Sequence, residues 1–269
     1  MAFDLVQIGV VHSLVSDRRL MPRTGVPAEI HIFPEYADGL LLIEENSHIW
    51  VIGWLEDADR EHLQIVRPTY EPSRRRRGVF GLRSPTRPNP LSLTATRLLA
   101  VEGNVLQVER LDLVDGTPVL DLKRYSPSWD AIVAARSSRD HYRLDPTDAA
   151  LVEEKEEAAV HFHGERCAAM VLGARLILSL ALAWDIPPKD PELRVTVGTD
   201  AAVLHLADAV QALTAATFGT GRLRAAPGAN VIFEHGLRRL IASPLPVDGM
   251  DLDRLRQVPL AHLFMLVEE

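Results

Sequence analysis

The residues best suited to ligand chemistry lie between Arg74 and Pro90, in the sequence RRRRGVFGLRSPTRPNP. Six arginines, Arg74 to Arg77, Arg83 and Arg87, flank a short apolar run, Val79 to Leu82, which predicts a strand. Three prolines within the last six residues fix backbone dihedrals and remove amide donors, so Ser84 to Pro90 is predicted to be a rigid, extended loop. A solvated charge run on a connecting loop is the alternative interpretation. The prolines favour a loop whose guanidinium groups are aimed at a ligand.

The segment Asp115-Gly116-Thr117-Pro118 separates two apolar pieces and is predicted to be a turn, because aspartate and glycine are typical turn residues. Judged by residue type alone, a turn-forming role for Asp115 and a strand-end surface role for Arg83 remain open alternatives.

Composition indicates a soluble, globular chain with room for two domains, since it has 269 residues of which 47% are apolar. No apolar run approaches the roughly twenty residues that cross a bilayer, and the N-terminus lacks the features of a secretory signal. The single cysteine, Cys167, fits a reducing compartment, and we expect a cytoplasmic protein. A net charge of -8 argues against nucleic-acid binding over the whole surface but leaves a local basic patch possible.

The elements that must position these residues are predicted to be strands in the first half. Candidate strands are Gln7 to Val11, Glu29 to Phe33, Ser47 to Leu55, Leu91 to Leu99 and Val105 to Leu111, with further apolar pieces on either side of the Asp115 turn. Gly103-Asn104 is predicted to be a hairpin turn. About seven short strands separated by glycine and proline turns favour a small closed barrel, which we assign to residues 1–140.

The second half has a different composition and predicts an α+β domain over residues 149–269. Residues 126–148 are interpreted as a linker. Ala149 to Ala159 is an acidic run with no element assigned. Helices are expected over Arg166 to Trp184, Ala202 to Ala216 and Gly236 to Ile241, with strands at Leu193 to Val197 and Val231 to Phe233.

Two long motifs in the first half resemble the TsaA/TrmO family: Arg77 to Leu91, RGVFGLRSPTRPNPL, and Leu111 to Tyr125, LDLVDGTPVLDLKRY. Ile8-Gly9-Val10 and Ser47 to Val51 are similar to it too, so the resemblance covers residues 1 to 140. It implies a small β-barrel methyltransferase that uses S-adenosylmethionine, is usually dimeric, and in its best-known members N6-methylates threonylcarbamoyladenosine in tRNA.

The resemblance also implies which residues contact the cofactor: Pro22, Arg23, Thr24, Glu56, Asp57, Arg83, Leu93, Asp115, Gly116, Thr117 and Pro118. Four positions depart from the family pattern, since Thr24 stands where glutamine is common, Glu56-Asp57 where His-Gln is common, and Ser92 where glycine is usual. A sulfonium with an attached amine and carboxylate needs acidic or carbonyl groups, a cationic or amide donor and an apolar bed for adenine. Asp115 and Arg83 are the expected sources of the first two.

Arg75, Arg76, Arg87 and Asn89 are the candidates for contacting the methyl acceptor, with the arginines expected to bind phosphates. We assign no catalytic base, because in-line alignment of the methyl donor and the acceptor supplies much of the rate enhancement. The titratable groups nearest the motifs are His48, Asp121 and Tyr125, and a histidine on an apolar strand is usually part of the core.

A second resemblance, to FmdE-type domains, is carried by His161 to Cys167, Gly173 and His205 to Thr214. Glu165 stands where the family has a histidine, Ala168-Ala169 replace Pro-Gly, and His205 stands where cysteine is common. His163, Cys167 and His205 form a donor set compatible with zinc, whereas the departures favour a domain kept for packing or dimerisation. No metal site is assigned from the sequence.

Three functions follow as alternatives. The first is a TrmO-like methyltransferase that uses S-adenosylmethionine and N6-methylates threonylcarbamoyladenosine in tRNA. The second is the same chemistry on a small anionic metabolite, and the third is a non-catalytic module that binds S-adenosylmethionine. Because nucleic-acid binding by a basic patch weakens with salt, the salt dependence of tRNA affinity distinguishes the first from the others.

Overall fold

Runs of alternating apolar and polar residues dominate the first half of the chain and form a closed barrel. The structure is a computed structural model that describes residues 4–66, 76–135, 146, 148–247 and 249–269. The chain separates into two compact units, Met1–Ala131 and Ile132–Glu269. The first unit contains β1 (Gly9–Ser13), β2 (Val26–Ile32), β3 (His48–Gly53), β4 (Gln64–Val66), β5 (Arg76–Gly78), β6 (Thr94–Glu102), β7 (Val105–Leu111), β8 (Pro118–Arg124) and the short helix α1 (Pro127–Asp130).

Six of these strands close the barrel in the order β1-β2-β7-β6-β3-β8, and every neighbouring pair is antiparallel. Side chains alternate between the interior and the outside of the barrel; in β3, Ile49 and Val51 are fully buried while Trp50 is half-buried. The interior is filled mainly by branched apolar residues, among them Val11, Ile30, Ile32, Ile49, Val51, Leu106, Val108, Leu111 and Val119. The predicted closed barrel is therefore confirmed.

The antiparallel register brings four connections to one end of the barrel. At this end β1 finishes and β2 begins, β3 finishes at Gly53, β6 begins at Thr94, and β7 finishes before β8 begins. The opposite end carries the tight β6–β7 turn, where Gly103 has a φ of 62°, a left-handed conformation that favours glycine. Residues in the four connections can therefore converge on one site although they lie far apart in sequence.

The prediction of a strand from Val79 to Leu82 was wrong. Val79–Gly81 forms a 3-10 turn, closed by the Leu82 amide donating to the Val79 carbonyl at 3.1 Å, and the strand β5 ends at Gly78. Glycines at 78 and 81 favour a turn, because neither adds a side chain to a strand face. Val79 is fully buried while Phe80 is 80% exposed, so the turn buries one apolar side chain rather than an alternating face.

The predicted strand from Leu91 to Leu99 begins later than expected. Leu91 forms only an isolated bridge with Trp54, and the continuous strand starts at Thr94. The three prolines before it explain the delay, because each removes a ladder donor from the segment that approaches the barrel. The Gly103-Asn104 turn and the strand Val105 to Leu111 were predicted correctly.

The second unit contains α2 (Ala149–His163), α3 (Ala168–Trp184), β9 (Arg194–Gly198), α4 (Ala201–Leu204), α5 (Leu206–Thr214), β10 (Leu223–Ala226), β11 (Val231–His235), β12 (Arg238–Pro244), α6 (Leu252–Gln257) and β13 (Phe264–Glu268). Its sheet has the order β10-β9-β11-β12-β13, with β10 and β9 parallel and the other pairs antiparallel. Most of α3 is buried, which explains why its sequence is apolar on all sides. The predicted α+β class is confirmed.

One ion cluster lies inside this unit. Glu156 of α2 is fully buried and accepts hydrogen bonds of 2.7 Å from Arg166 and from two nitrogens of Arg256. Hydrogen bonding to Glu156 is the main cause that raises the pKa of Arg256, so this guanidinium remains charged. A buried carboxylate paired in this way ties α2 to α6 and to the segment before α3.

Two further predictions for the second unit require correction. Gly236 to Ile241 is not helical. It forms a hairpin turn, in which Gly236 has a φ of 60°, and then the first part of β12, which pairs with β11 from Arg238 onward. The predicted helix Ala202 to Ala216 is divided at His205 into α4 and α5. Of the predicted linker, Pro127–Asp130 forms α1, and residues 136–145 and 147 lie outside the described part of the chain. No helix in the described ranges is long and apolar enough to span a membrane.

Candidate functional site

The four connections at one end of the barrel surround a cavity of about 600 Å³. Cavities of this size hold a nucleoside-sized or drug-sized ligand. Its wall is built from the β1–β2 connection, the residues that follow β3, the loop before β6 and the β7–β8 connection. The cavity therefore depends on the barrel for its shape and on the loops for its chemistry.

The charged groups on the cavity wall are of both signs. Among the described residues, four arginines and four acidic residues line it: Arg18, Arg23, Arg83, Arg87, Glu56, Asp57, Asp112 and Asp115. Leu93, Leu113 and Pro118 add apolar surface to the same wall. A wall with this mixture suits a zwitterionic ligand that has an apolar part, because each charge of the ligand finds its counterpart.

The β7–β8 connection presents Asp115 through a tight turn. Gly116 has a φ of 79°, and the Thr117 hydroxyl donates to the Val114 carbonyl at 2.6 Å. The Asp115 carboxylate accepts a hydrogen bond of 3.1 Å from the Ser13 amide, and its own amide donates to the Val15 carbonyl at 2.9 Å. The turn thus binds the end of β1 and fixes the carboxylate at the edge of the cavity.

The loop before β6 is stabilised by its own arginines. Arg87 is half-buried and donates to the carbonyls of Ser84 at 2.7 Å and Val79 at 3.3 Å, and also to that of Leu82. Arg83 is exposed, and its guanidinium donates to the Leu93 carbonyl. These bonds supply the order that prolines alone cannot give, because a proline fixes φ but donates no hydrogen bond.

Ten of the eleven residues expected to contact the cofactor line this one cavity: Pro22, Arg23, Glu56, Asp57, Arg83, Leu93, Asp115, Gly116, Thr117 and Pro118. The eleventh, Thr24, is half-buried and does not line it. The arginine loop and the Asp115 turn, thirty residues apart in sequence, are therefore neighbours in space.

The residues expected to contact the methyl acceptor do not all line the cavity. Arg87 lines the cavity, whereas Arg76 and Asn89 are exposed outside it. Arg75 lies outside the described residues. His48, Asp121 and Tyr125 do not line the cavity; the His48 and Trp50 rings lie 6.2 Å and 5.5 Å from that of Tyr125, measured between centroids.

Sequence reasoning missed two charged residues of the wall, Arg18 and Asp112. Arg18 lies in the β1–β2 connection and donates to the Asp57 carbonyl at 3.4 Å. Asp112 follows the last residue of β7 and accepts a hydrogen bond of 2.5 Å from the Thr94 hydroxyl. The available signal was topological, since polar residues that follow β1, β3 and β7 must meet at the same end of an antiparallel barrel.

Ser92 replaces the glycine that is usual at its position in the family, and the structure gives it a defined role. Its hydroxyl accepts a hydrogen bond of 2.9 Å from the Gly53 amide, and its own amide donates to the Gly53 carbonyl at 2.8 Å. This contact lies at a register shift between β3 and β8, where the ladder leaves backbone groups to other partners. Ser92 therefore joins the loop before β6 to the end of β3, at the cavity wall.

Fold and site together define a small antiparallel β-barrel with a charged ligand cavity at one end. The chain belongs to the family described as the tRNA-methyltransferase O N-terminal domain, whose sequence profile matches residues 10–131. An S-adenosyl-L-methionine-binding protein from Archaeoglobus fulgidus is 46% identical over 132 residues, which are 48% of this chain and 93% of that protein. A profile described as FmdE, molybdenum formylmethanofuran dehydrogenase operon, matches residues 162–233.

Two further relatives extend the comparison. A probable S-adenosyl-L-methionine-binding protein from the same organism is 34% identical over 234 residues, which are 83% of this chain. The tRNA (adenine(37)-N6)-methyltransferase of Escherichia coli is 32% identical over 161 residues, which are 51% of this chain. This chain spans 61% of the first of these relatives and 63% of the second. A crystal structure of TrmO from Pseudomonas aeruginosa matches 51% of this chain and 62% of its own, with 28% identity and a TM-score of 0.43.

In the second unit, the structure brings together the three residues that the sequence marked as a zinc-compatible donor set. His163 lies at the end of α2, Cys167 directly precedes α3, and His205 lies between α4 and α5. One ligand atom from each lies within 4.8 Å of the others.

Proposed function

We propose that this protein is a methyltransferase that binds S-adenosylmethionine in the cavity at the end of the barrel. The observation that carries the proposal is the convergence of Arg83 and Asp115 on one cavity of about 600 Å³. It is supported by the relative from Archaeoglobus fulgidus, 46% identical and covered over 93% of its length, which is named an S-adenosyl-L-methionine-binding protein.

The cavity wall matches the charges of this cofactor. Asp115 and the neighbouring acidic residues of the wall would pair with the sulfonium and the amine of the cofactor, and the arginine guanidiniums would pair with its carboxylate. The apolar side chains of Leu93, Leu113 and Pro118 provide a surface for adenine. The cofactor supplies an electrophilic methyl group, and the residues of the cavity hold it in line with the acceptor and exclude water.

For the acceptor, we propose an adenosine of tRNA, with threonylcarbamoyladenosine as the specific base. The support is the Escherichia coli relative, which is named a tRNA (adenine(37)-N6)-methyltransferase. Arg76 and Asn89 are exposed and accessible to a large substrate, and Arg75 precedes Arg76 in the chain. In this proposal Arg75 and Arg76 contact phosphates, and Arg87 holds the loop that carries Asn89.

Binding of S-adenosylmethionine tests the cavity assignment. Asp115→Asn and Arg83→Ala each remove one charged partner, so isothermal titration calorimetry should show an affinity about 10- to 100-fold weaker. Glu102→Gln and Arg97→Ala are matched controls, since both side chains are exposed on β6 and neither lines the cavity. Unchanged affinity in both cavity variants would remove the assignment.

The affinity for tRNA, measured with and without the arginines at 75 and 76, tests the proposed methyl acceptor. The double variant Arg75→Ala and Arg76→Ala should bind S-adenosylmethionine normally, while its affinity for tRNA should fall. The slope of log affinity against log salt should become shallower by about one for each phosphate that the variant no longer neutralises. Arg97→Ala again serves as the control. A protein that ignores tRNA but methylates a small anionic compound would support the metabolite alternative.

A methyl-transfer assay distinguishes a methyltransferase from a non-catalytic binding module. The purified chain is incubated with S-adenosylmethionine carrying a labelled methyl group and with total tRNA from a strain that lacks the modification. Labelled adenosine in the digested tRNA is the expected result. Cofactor binding without transfer to any tested acceptor would instead favour the non-catalytic binding module.

We further propose that the protein is a homodimer, as the TrmO-like resemblance implies, and that it is cytoplasmic, as its single cysteine suggests. Light scattering coupled to size-exclusion chromatography checks this proposal, because a dimer has twice the 29.8 kDa mass of one chain. A mass of one chain across the concentrations used for catalysis would contradict it.

A further inference from the structure

We propose that Trp54 stacks against the base of the methyl acceptor, while Arg60 holds the opposite face of the indole. This inference rests on the methyltransferase function proposed for the cavity and narrows the acceptor to a planar nucleobase. Trp54 directly follows β3, is half-buried and lines the cavity. Among the described residues of the cavity wall, it is the one aromatic side chain.

One face of the indole is covered by a guanidinium. The Arg60 Cζ atom lies over the Trp54 ring, 5.5 Å from its centroid, a distance at which a cation is attracted to an aromatic face. Arg60 Nε also donates to the Pro88 carbonyl at 3.0 Å. Arg60 is exposed and does not line the cavity, so it covers the indole from outside the cavity. The opposite face is therefore the one available to a ligand.

The indole lies on the side of the cavity that is proposed to receive the acceptor. Two backbone hydrogen bonds join the segment after β3 to the loop before β6: the Leu55 amide donates to the Pro90 carbonyl at 2.9 Å, and the Arg87 amide donates to the Asp59 carbonyl at 3.0 Å. The same loop carries Asn89, which is exposed and is proposed to contact the acceptor. These bonds fix the indole beside that loop before any substrate binds.

A stacking surface at this place suits methylation of an adenine. Stacking on an aromatic side chain fixes the plane of a base, so its N6 can lie in line with the bond between sulfur and methyl. As the new bond between N6 and the methyl carbon forms, the sulfur keeps the electron pair of the broken bond and becomes a neutral thioether, and the N6 proton passes to solvent. An anionic metabolite without a planar ring would gain nothing from the indole.

The competing interpretation is that Trp54 only anchors Arg60 and, through it, the loop before β6. In that case a change at Trp54 lowers the stability of the protein and its affinity for S-adenosylmethionine together, because the same loop forms part of the cofactor wall. Stacking on the acceptor predicts a different result, in which methyl transfer to RNA is impaired while the affinity for the cofactor is retained.

Kinetics of methyl transfer to tRNA separate the two interpretations. Trp54→Leu keeps an apolar side chain but removes the aromatic face, so kcat/KM for tRNA should fall about 10- to 100-fold while the affinity for S-adenosylmethionine stays within about twofold. Trp54→Phe should keep most of the activity, because it retains an aromatic face. Trp129→Leu is the matched control, since this tryptophan is 84% exposed on α1 and does not line the cavity.

Fluorescence reports the stacking itself and needs no methyl transfer. An RNA stem-loop carries aminopurine, a fluorescent isomer of adenine, in place of the target base, and stacking on an indole quenches its emission. The bound RNA should be quenched by the unchanged protein and by Trp129→Leu but not by Trp54→Leu. Arg60→Gln should give an intermediate value, and it carries the comparison if circular dichroism shows that Trp54→Leu is unfolded.

Equal quenching and equal kcat/KM in the unchanged protein and in the Trp54 and Arg60 variants would overturn this inference and leave the proposed function intact. An unchanged protein that does not bind S-adenosylmethionine would overturn the proposed function, and the inference with it. A joint loss of stability and cofactor affinity in Trp54→Leu, with the quenching retained, would establish the anchoring role instead.

Discussion

At the scale of single residues, Arg87 illustrates how a charged side chain serves structure inside a ligand site. Its guanidinium lines the cavity but also donates to the carbonyls of Ser84, Val79 and Leu82. Arginine suits this task because its planar fork presents several donors in fixed directions. The sequence indicated a rigid arginine-bearing loop, yet it could not separate an arginine that contacts a ligand from one that organises the loop.

Arg87→Lys tests this role while preserving the charge. Lysine has one ammonium group and cannot reach three carbonyls in the same geometry, so the free energy of unfolding should fall by about 1–3 kcal/mol. The affinity for S-adenosylmethionine should also fall, because the neighbouring Arg83 and Pro85 lose their support. Urea unfolding and calorimetry measure the two effects, with Arg97→Lys as an exposed control. Equal stability and affinity in both variants would show that the loop does not depend on Arg87.

At the scale of elements, the contact between α3 and α5 requires a glycine. A β-carbon added at Gly173 would lie 2.4 Å from the Ala209 β-carbon, a distance that forces the two helices apart. Asp208, whose carboxylate lies 2.8 Å from His163 Nδ1, is the neighbour of Ala209 on α5. Packing of α3 against α5 therefore affects the contact between α5 and the end of α2.

Gly173→Ala should destabilise the protein by about 1–3 kcal/mol, although alanine is the better helix former by roughly 1 kcal/mol. Gly219→Ala is the control because the nearest atom to its added β-carbon is 3.9 Å away. Adding Ala209→Gly to the first variant should recover part of the loss. If urea unfolding gave Gly173→Ala the same free energy of unfolding as the control, the close packing of α3 and α5 would be contradicted.

Element prediction from the sequence succeeded where one physical signal dominated. The predicted strand Val105 to Leu111 follows a glycine turn and precedes a charged segment, and its bounds agree with β7. The strand predicted from Val79 to Leu82 was wrong because two glycines outweighed the apolar composition. The helix predicted from Gly236 to Ile241 was wrong because the left-handed φ of Gly236 starts a hairpin turn. Strands β10 and β13 and helix α6 were missed, since they depend on sheet and core partners far away in sequence.

At the scale of the whole molecule, the family motifs predicted most residues of the barrel site, and the topology of the barrel explains why they meet. Arg83 and Asp115 were predicted to share a site on the strength of a family resemblance, and both line the same cavity. Arg18 and Asp112 were missed because they carry no motif; only the register of the closed barrel brings them to the same end. The contact between Asp208 and His163 needed coordinates too, since a hydrogen bond between residues 45 positions apart has no signature in sequence.

The two units are predicted to work as separate folding and binding modules. Each has its own apolar core, and the relative that is 46% identical is covered over 93% of its length by 132 residues. A fragment of residues 1–135 should therefore unfold cooperatively and bind S-adenosylmethionine within about twofold of the full chain, because the described cavity wall lies between residues 16 and 118. A fragment of residues 148–269 should likewise unfold cooperatively, because it has its own apolar core. Circular dichroism on both fragments and calorimetry on the first give the answer. A folded 1–135 fragment without cofactor affinity would mean that the second half completes the site, whereas an unfolded fragment would mean that the barrel depends on it for stability.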